Sequence, residues 1–239
     1  MPPLPVLQTT LIESRPITPT VKHLVLRFPD GVRFQFEPGQ FINILLEKDG
    51  KPYKRSYSIA SAASLQDRLE FCIIRVDGGF ASNHLLDLPV GSPVKVQGPY
   101  GKFGLKPPPD KGILFLSTGT GIAPYRPMVA RLIEQGHTRP VRVYLGVRYE
   151  NEILYQAEFE SLSKQHPWLS YHAIVSRAGA EWKGERGHIQ QAVLRDIPEG
   201  DRAGRDVYLC GATQNVLDIK KTLVEGGFED ARMHFELYG

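Results

Sequence analysis

The sequence predicts a two-domain chain, a small antiparallel β-barrel followed by an α/β domain with a doubly wound parallel sheet. Three observations carry this. Through the first hundred residues apolar and polar side chains alternate in short runs, with Pro and Gly between them. At Lys106-Pro107-Pro108-Pro109-Asp110 a triple proline cannot continue a ladder and stiffens the chain, which reads as a linker. Beyond it, apolar runs alternate with helical patterns, the rhythm of β-α units and of a sheet covered on both faces. The expected domains are residues 1–106 and 110–239.

The elements follow in order. Over 21–28, alternation places Lys22, Leu24, Leu26 and Phe28 on one face of a strand. Residues 41–46 and 69–76 are two further strands, and breaks at Pro38-Gly39 and Pro89-Val90-Gly91 punctuate the series. Strands at such spacing suggest a barrel. A short helix is expected over 81–86, entered from Gly78-Gly79. After the linker, strands over 113–116, 141–146, 171–175, 207–210 and 232–235 alternate with helices over 122–135, 156–165, 189–194 and 214–225. Ligands of doubly wound sheets sit beyond the carboxyl ends of the strands, so the loops after Leu116, Gly146, Val175 and Cys210 are the places to look.

Composition narrows the class. A length of 239 residues allows one large or two modest domains, and 41% hydrophobic with 23% charged residues is ordinary for a globular protein. No apolar run approaches the roughly 20 residues that span a membrane. The N-terminus lacks the charged and apolar regions of a secretory signal, so none is expected. Two cysteines, Cys72 and Cys210, cannot build a disulfide framework or a four-thiolate iron–sulfur cluster, and no metal site is expected. A reducing, cytoplasmic setting fits. The net charge of +3 is small and the Lys and Arg residues are scattered, which argues against nucleic acid.

The densest chemistry lies in Arg55-Ser56-Tyr57-Ser58-Ile59-Ala60-Ser61. Arg offers a planar fork for phosphate, Tyr a flat face for a ring, and Ser a hydroxyl that donates or accepts. Arg55 and Tyr57 share a face if the segment is extended. The set suits a ligand with both a ring and a phosphate, although a polar loop with a structural tyrosine has the same composition. Ser117-Thr118-Gly119-Thr120-Gly121-Ile122-Ala123-Pro124 follows the first strand of the second half. Its glycines let the backbone approach a ligand, and a helix start offers N–H groups and a positive dipole end to an anion. Pro124 stands where a dinucleotide fingerprint would have its third Gly. Gly78-Gly79-Phe80-Ala81-Ser82 is a second glycine turn into a helix, either an anion site or a plain turn capped by Ser82. Cys210-Gly211 ends a strand at the expected crevice, where the cysteine is a ligand contact or a small apolar residue. The C-terminal His234-Phe235-Glu236-Leu237-Tyr238-Gly239 carries an acid and an aromatic ring two apart, on a tail that leaves the last strand and could reach back over the first domain.

The order of these motifs, with Gly98-Pro99-Tyr100-Gly101 between them, resembles the ferredoxin–NADP reductase superfamily from about residue 38 to 238, and most of all the flavin/NAD(P)H modules of bacterial oxygenase reductases. Val175-Ser176-Arg177, Trp182-Lys183-Gly184 and Gly187-His188 share that character. The resemblance implies an FAD-binding β-barrel domain and an NAD(P)-binding α/β domain. It implies that Arg55, with Ser56 beside it, contacts the flavin diphosphate, that Tyr57 packs on the isoalloxazine and that Ser58 lies near N5. It implies that the backbone of Cys72, Ile73, Ile74 and Arg75 runs along the flavin, and that Gly79, Phe80, Ala81 and Ser82 cradle the pyrophosphate. Thr118, Gly119, Thr120 and Gly121 would receive the nicotinamide nucleotide, and Arg148, Ser176 and Arg177 its adenosine end. Cys210 and Gly211 would lie beside the nicotinamide, with Glu236 and Tyr238 approaching the flavin. Ser58, Cys210 and Glu236 are the candidate catalytic residues. Hydride transfer from NAD(P)H C4 to flavin N5 needs the reacting atoms roughly 3–3.5 Å apart.

Two departures from the family pattern stand out. Ala212 replaces the proline often found after Cys-Gly, and with so few residues after Glu236 an appended plant-type ferredoxin domain is not expected. The expected function is therefore an FAD-dependent NAD(P)H reductase that passes electrons to a separate ferredoxin or oxygenase component. The slight basic excess suits an acidic ferredoxin. The alternatives are a reductase that uses flavin as a substrate and an FAD-holding electron-transfer subunit of a larger complex. NADH and NADPH both remain open: Arg148 and Arg177 suit a 2′-phosphate, and Glu150 or Glu152 a ribose hydroxyl.

Overall fold

The structure, a computed structural model, describes residues 4–107 and 110–238. They form two compact units. The first holds the described residues through Leu105 together with Ala123–Gln135; the second holds those of Lys106–Ile122 and from Gly136 onward.

The first unit is an antiparallel sheet of β1 (Val6–Pro16), β2 (Val21–Arg27), β3 (Phe41–Lys48), β4 (Lys51–Ser58), β5 (Arg68–Ile74) and β6 (Pro93–Tyr100), with α1 (Phe80–Asp87) and α2 (Tyr125–Glu134). Its strand order is β4-β3-β6-β1-β2-β5. The two ends of that order meet where Ala60, just past β4, donates its N–H to the Glu70 carbonyl of β5 at 2.8 Å, which curls the sheet toward a barrel. Leu24, Leu26, Ile42, Ile44, Leu69, Phe71 and Val96 fill the interior, and Leu85 and Leu86 of α1 pack against it. β2 departs from one-faced alternation, because Val21, His23 and Val25 are buried as well as Leu24 and Leu26. Its second face is covered: His23 Nε2 lies 3.6 Å from Glu70 Oε2, which in turn pairs with Arg126 of α2.

The second unit is a parallel sheet of β7 (Ile113–Thr118), β8 (Val141–Val147), β9 (Leu169–Val175), β10 (Glu185–Arg186), β11 (Asp206–Ala212) and β12 (Met233–Tyr238), in the order β10-β9-β8-β7-β11-β12. α4 (Ile189–Asp196) and α5 (Thr213–Glu225) cover one face, packing Val193, Val216 and Leu223 against Leu114, Leu116, Tyr144 and Leu209. On the other face α3 (Gln156–Gln165) stacks Phe159 on Tyr171, with ring centroids 5.3 Å apart. The order of the strands reverses at β7: β8 and β9 lie to one side, β11 and β12 to the other. Their carboxyl ends part at Thr118 and Ala212, which is the switch point where such sheets bind ligands.

Two expectations are corrected. The helix expected over 122–135 starts only at Tyr125, and Gly119–Ile122 forms a separate 3₁₀ turn. Pro124 is the N-cap of that helix, and the turn before it opens at Gly119 with φ +52°. That helix also clusters with the first unit, although it follows the loop of the second. The last strand runs through Tyr238, so Glu236 and Tyr238 do not lie on a departing tail: they pair with Cys210 and Ala212, because β12 completes the open ladder of β11. Pro108 and Pro109 of the expected linker and Gly239 of the expected tail lie outside the described residues. Among the described residues no helix is long and apolar enough to cross a membrane.

Candidate functional site

In the first unit the register of β3 with β4 sets the faces of the Arg-x-Tyr-Ser segment. Arg55 pairs with Ile44 and Tyr57 with Ile42, so the guanidinium and the ring share one face; Ser56 and Ser58 pair with Asn43 and Phe41 on the other. Tyr57 packs at the edge of the core, and burial pushes its hydroxyl up to about 12, so it is a neutral ring at physiological pH. Ser58 is buried, at 8% exposure. The Ser56 hydroxyl donates to Asn43 Oδ1 at 2.8 Å, which ties it to β3. Arg55 is exposed, donates to the Lys54 carbonyl at 3.1 Å, and lies 4.3 Å above the Tyr53 ring. Tyr53 meets Phe80 edge-on at 5.3 Å, and Lys48 sits 5.5 Å over Phe80. Arg55 is thereby brought beside the first residue of α1. Tyr53 and Lys48 were not singled out in the sequence, although Tyr53 stands two before Arg55 and alternation alone places it on the same face.

The turn into α1 is built around its glycines. Gly78 has φ +68°, and a side chain on Gly79 would crowd Ser82 Oγ and Val76 Cβ, each at 2.9 Å. The Ser82 hydroxyl accepts the Val76 N–H at 3.2 Å and donates to the Gly79 carbonyl at 3.4 Å. Its oxygen therefore shapes the turn. The helix has no side-chain cap, so no N-cap side chain occupies the first-turn N–H groups of Phe80, Ala81 and Ser82. Glu70 directs both its backbone groups away from β2, its N–H to Ser61 Oγ and its carbonyl to Ala60. By alternation Cys72 and Ile74 turn their backbone groups to that same edge, while Ile73 is 1% exposed and belongs to the core. Arg75 is held by Asp87, through two nitrogens, and by Asn83 at 3.1 Å, which fastens the end of β5 to α1.

In the second unit two glycines close the switch point. A Cβ on Gly121 would overlap the Cys210 carbonyl oxygen, and a Cβ on Gly211, at φ +147°, would overlap Thr118 Oγ1. Gly119, by contrast, opens onto space, with nothing within 4 Å of a Cβ there. Thr118 Oγ1 is buried with no hydrogen-bond partner, and Thr120 is half-buried. An orphaned buried hydroxyl at a strand end marks a position where a ligand group or water completes the bonding.

Cys210 is fully buried, and burial pushes its thiol far up; the Glu236 charge adds to the effect, and a hydrogen bond from Tyr238 opposes it. Cys210, Glu236 and Tyr238 share one sheet face through the register of β11 with β12. The thiol stays protonated at neutral pH, so thiolate chemistry is not available to it.

At the outer strand ends, Ser176 donates its N–H and its hydroxyl to the Val147 carbonyl, at 3.0 and 3.2 Å. Arg177 N–H donates to the Arg148 carbonyl at 2.8 Å, so these two arginines are neighbours, both exposed. Glu150 and Glu152 are engaged elsewhere. Glu152 Oε2 accepts the N–H groups of Arg148 and Tyr149, and Glu150 Oε1 accepts that of Gly179. Arg186 gathers the carbonyls of Ala178, Gly179 and Trp182 and so shapes the loop between β9 and β10.

One group of potential metal ligands occurs among the described residues. Atoms of His172, Glu185 and Asp196 lie within 4.8 Å of one another. The Arg195 guanidinium already bridges both carboxylates, and Tyr144 donates to Asp196 Oδ2 at 3.1 Å, so the group reads as a satisfied ion-pair network.

These residues fit a flavin dinucleotide in the first unit, through a cation and an uncapped helix start for the phosphates and a neutral ring beside them. They fit a nicotinamide nucleotide in the second, through glycines that leave room only for backbone and an unsatisfied hydroxyl. Comparisons with known proteins agree. The oxidoreductase FAD-binding domain family matches residues 8–104, and the oxidoreductase NAD-binding domain family matches residues 115–221. The chain is 34% identical over 238 residues to a ferredoxin–NADP reductase B of Sorangium cellulosum, covering 97% of each protein. It is 34% identical over 211 residues to the glycine betaine monooxygenase reductase subunit of Pseudomonas aeruginosa, covering 87% of this chain and 57% of that one. The crystal structure of an Amycolatopsis cytochrome P450 reductase superposes with a TM-score of 0.89 at 27% identity, over 98% of this chain and 70% of that one.

Proposed function

Because the chain belongs to the ferredoxin–NAD(P) reductase superfamily, we propose that it takes hydride from NAD(P)H onto FAD and passes the electrons to a separate carrier, a ferredoxin or an oxygenase component. Residues 1–106 serve as the FAD-binding domain and 110–239 as the NAD(P)-binding domain, in a cytoplasmic setting that suits two free cysteines. The switch-point crevice is the observation that carries this reading: Gly121 and Gly211 exclude side chains there, and Thr118 Oγ1 lacks a partner.

Bound FAD supplies the redox chemistry, accepting two electrons together and releasing them singly. The side chains supply binding and orientation. Arg55 and the first-turn N–H groups of α1 offset the diphosphate charge. Tyr57 would cover the ring, Ser58 would offer its hydroxyl to the flavin, and the outer edge of β5 at Cys72–Ile74 would offer backbone groups. Thr118 to Gly121 and Gly211 hold the nicotinamide end. Cys210 contributes a protonated thiol, and Glu236 on the same face is the group available to hold a proton.

Exposed Arg148 and Arg177, with Glu150 and Glu152 both spent on backbone N–H groups, support NADPH as the coenzyme. The test is anaerobic mixing of the purified, FAD-loaded chain with NADPH or NADH, followed by addition of a ferredoxin. Rapid flavin bleaching and ferredoxin reduction are expected. A colourless chain that oxidises NAD(P)H only with added flavin would instead establish a flavin reductase, and no bleaching with either coenzyme an electron-transfer subunit. Arg148→Gln and Arg177→Gln are each expected to lower kcat/KM for NADPH by roughly tenfold while leaving NADH unchanged. Equal losses with both coenzymes would refute the phosphate assignment.

A further inference from the structure

Arg126 is the second residue of α2, five after Gly121, and its side chain is turned inward at 15% exposure. One guanidinium nitrogen, Nη1, donates to two acceptors, the Ala60 carbonyl at 2.8 Å and Glu70 Oε2 at 3.0 Å. Ala60 stands two residues after Ser58, and Glu70 two before Cys72. The same two residues are joined directly, since Ala60 N–H donates to the Glu70 carbonyl at 2.8 Å and Glu70 N–H to Ser61 Oγ at 3.3 Å. The exit of β4, the middle of β5 and the first turn of α2 are thus closed into one ring of bonds. α2 itself is firmly seated, with Tyr125, Met128 and Val129 fully buried.

Replacing a buried ion pair by apolar side chains of like volume is often neutral or stabilising, because both charges must be stripped of water. What an ion pair supplies that an apolar plug does not is direction. Arg126 fixes one carbonyl and one carboxylate at set distances from the start of a helix.

We propose that Arg126 is a positioning residue for flavin reduction, holding the flavin-side segments around Ser58 and Cys72 to the first turn of α2. This rests on the functional reading above. Hydride transfer tolerates little displacement, and a misplacement of about 1 Å costs on the order of 100-fold in rate.

The test compares Arg126→Met, Arg126→Lys and the double variant Glu70→Gln/Arg126→Met in the full chain. Arg126→Met is expected to retain FAD, with the limiting rate of flavin reduction by NAD(P)H lowered on the order of 10–100-fold and the coenzyme dissociation constant little changed. Arg126→Lys restores most of that rate, because one ammonium can bridge the same two acceptors. The double variant removes the buried carboxylate that Arg126→Met leaves with only the His23 ring beside it, so thermal stability recovers while the rate does not. Hydrogen exchange on the flavin-free chain gives a second readout: amides of residues 59–61 and 70–72 exchange faster in both Met variants and regain protection in Arg126→Lys. A folded, FAD-replete Arg126→Met with wild-type reduction rate and wild-type exchange would overturn the proposal. So would a double variant that regains both stability and rate, which would make the role structural only. If the unmodified chain is not reduced by NAD(P)H, the functional reading fails, and the exchange arm still decides whether Arg126 positions these segments.

Discussion

At the scale of single residues, Arg55 shows how chemistry and placement divide. Its guanidinium lies over the Tyr53 ring and spends one nitrogen on the Lys54 carbonyl, and its remaining N–H groups are those that would meet an anion. Arg55→Ala is expected to weaken FAD binding by roughly 10–100-fold, as the loss of charge-assisted bonds to phosphate. Fluorescence titration of the flavin-free chain measures this, and an unchanged dissociation constant would refute the phosphate role. Arg55, Tyr57 and Ser58 were legible as a group because their functional groups suit one kind of ligand. Tyr53 was not, because its use depends on Phe80, which is 27 positions away and reaches it only through the packing of α1 on the sheet. Cys210 was legible as a strand-end residue, but burial raises its thiol, and burial is a property of everything packed around it.

At the scale of elements, the apolar strands are legible because burial on the sheet leaves a period-two or continuous apolar record. β3, β5, β7, β8, β9 and β11 all have one. β4 does not, and β1 and β6 have it only over Leu7–Leu11 and Val94–Val96. β4 is the outermost strand of its sheet and reads Lys-Pro-Tyr-Lys-Arg-Ser-Tyr-Ser, polar nearly throughout, and β6 carries proline at its first position and again near its end. The loop after β7 was recognised by its glycines, yet its 3₁₀ form follows from how closely Gly121 meets β11. A side chain there overlaps the Cys210 carbonyl, which is backbone and cannot swing aside. Gly121→Ala is therefore already expected to shift the loop, and Gly121→Val to slow flavin reduction at least tenfold with FAD retained. Stopped-flow reduction and flavin content check the two parts; normal reduction by Gly121→Val would remove Gly121 from the nucleotide site.

At the scale of the whole molecule, each unit has its own core, and a cofactor that binds the folded state stabilises it by mass action. FAD present at about 100 times its dissociation constant adds roughly 2.7 kcal/mol, so its removal is expected to lower Tm by about 5–10 °C for a chain of this size. Scanning calorimetry of the flavin-free and reloaded chain checks this; identical Tm values would mean that FAD does not bind the folded chain. The sequence by itself determined the fold class, the strand-and-helix series of the second half and the residue types of both candidate sites, because periodicity and side-chain chemistry are local properties. Only the tertiary structure decided that α2 clusters with the barrel, that Glu236 and Tyr238 belong to a strand, that Glu150 and Glu152 are spent on the backbone, and that Arg126 bonds Ala60 and Glu70. Each of these joins residues far apart in the chain or depends on which hydrogen-bonding groups folding leaves unsatisfied, and neither is written in any one stretch of sequence.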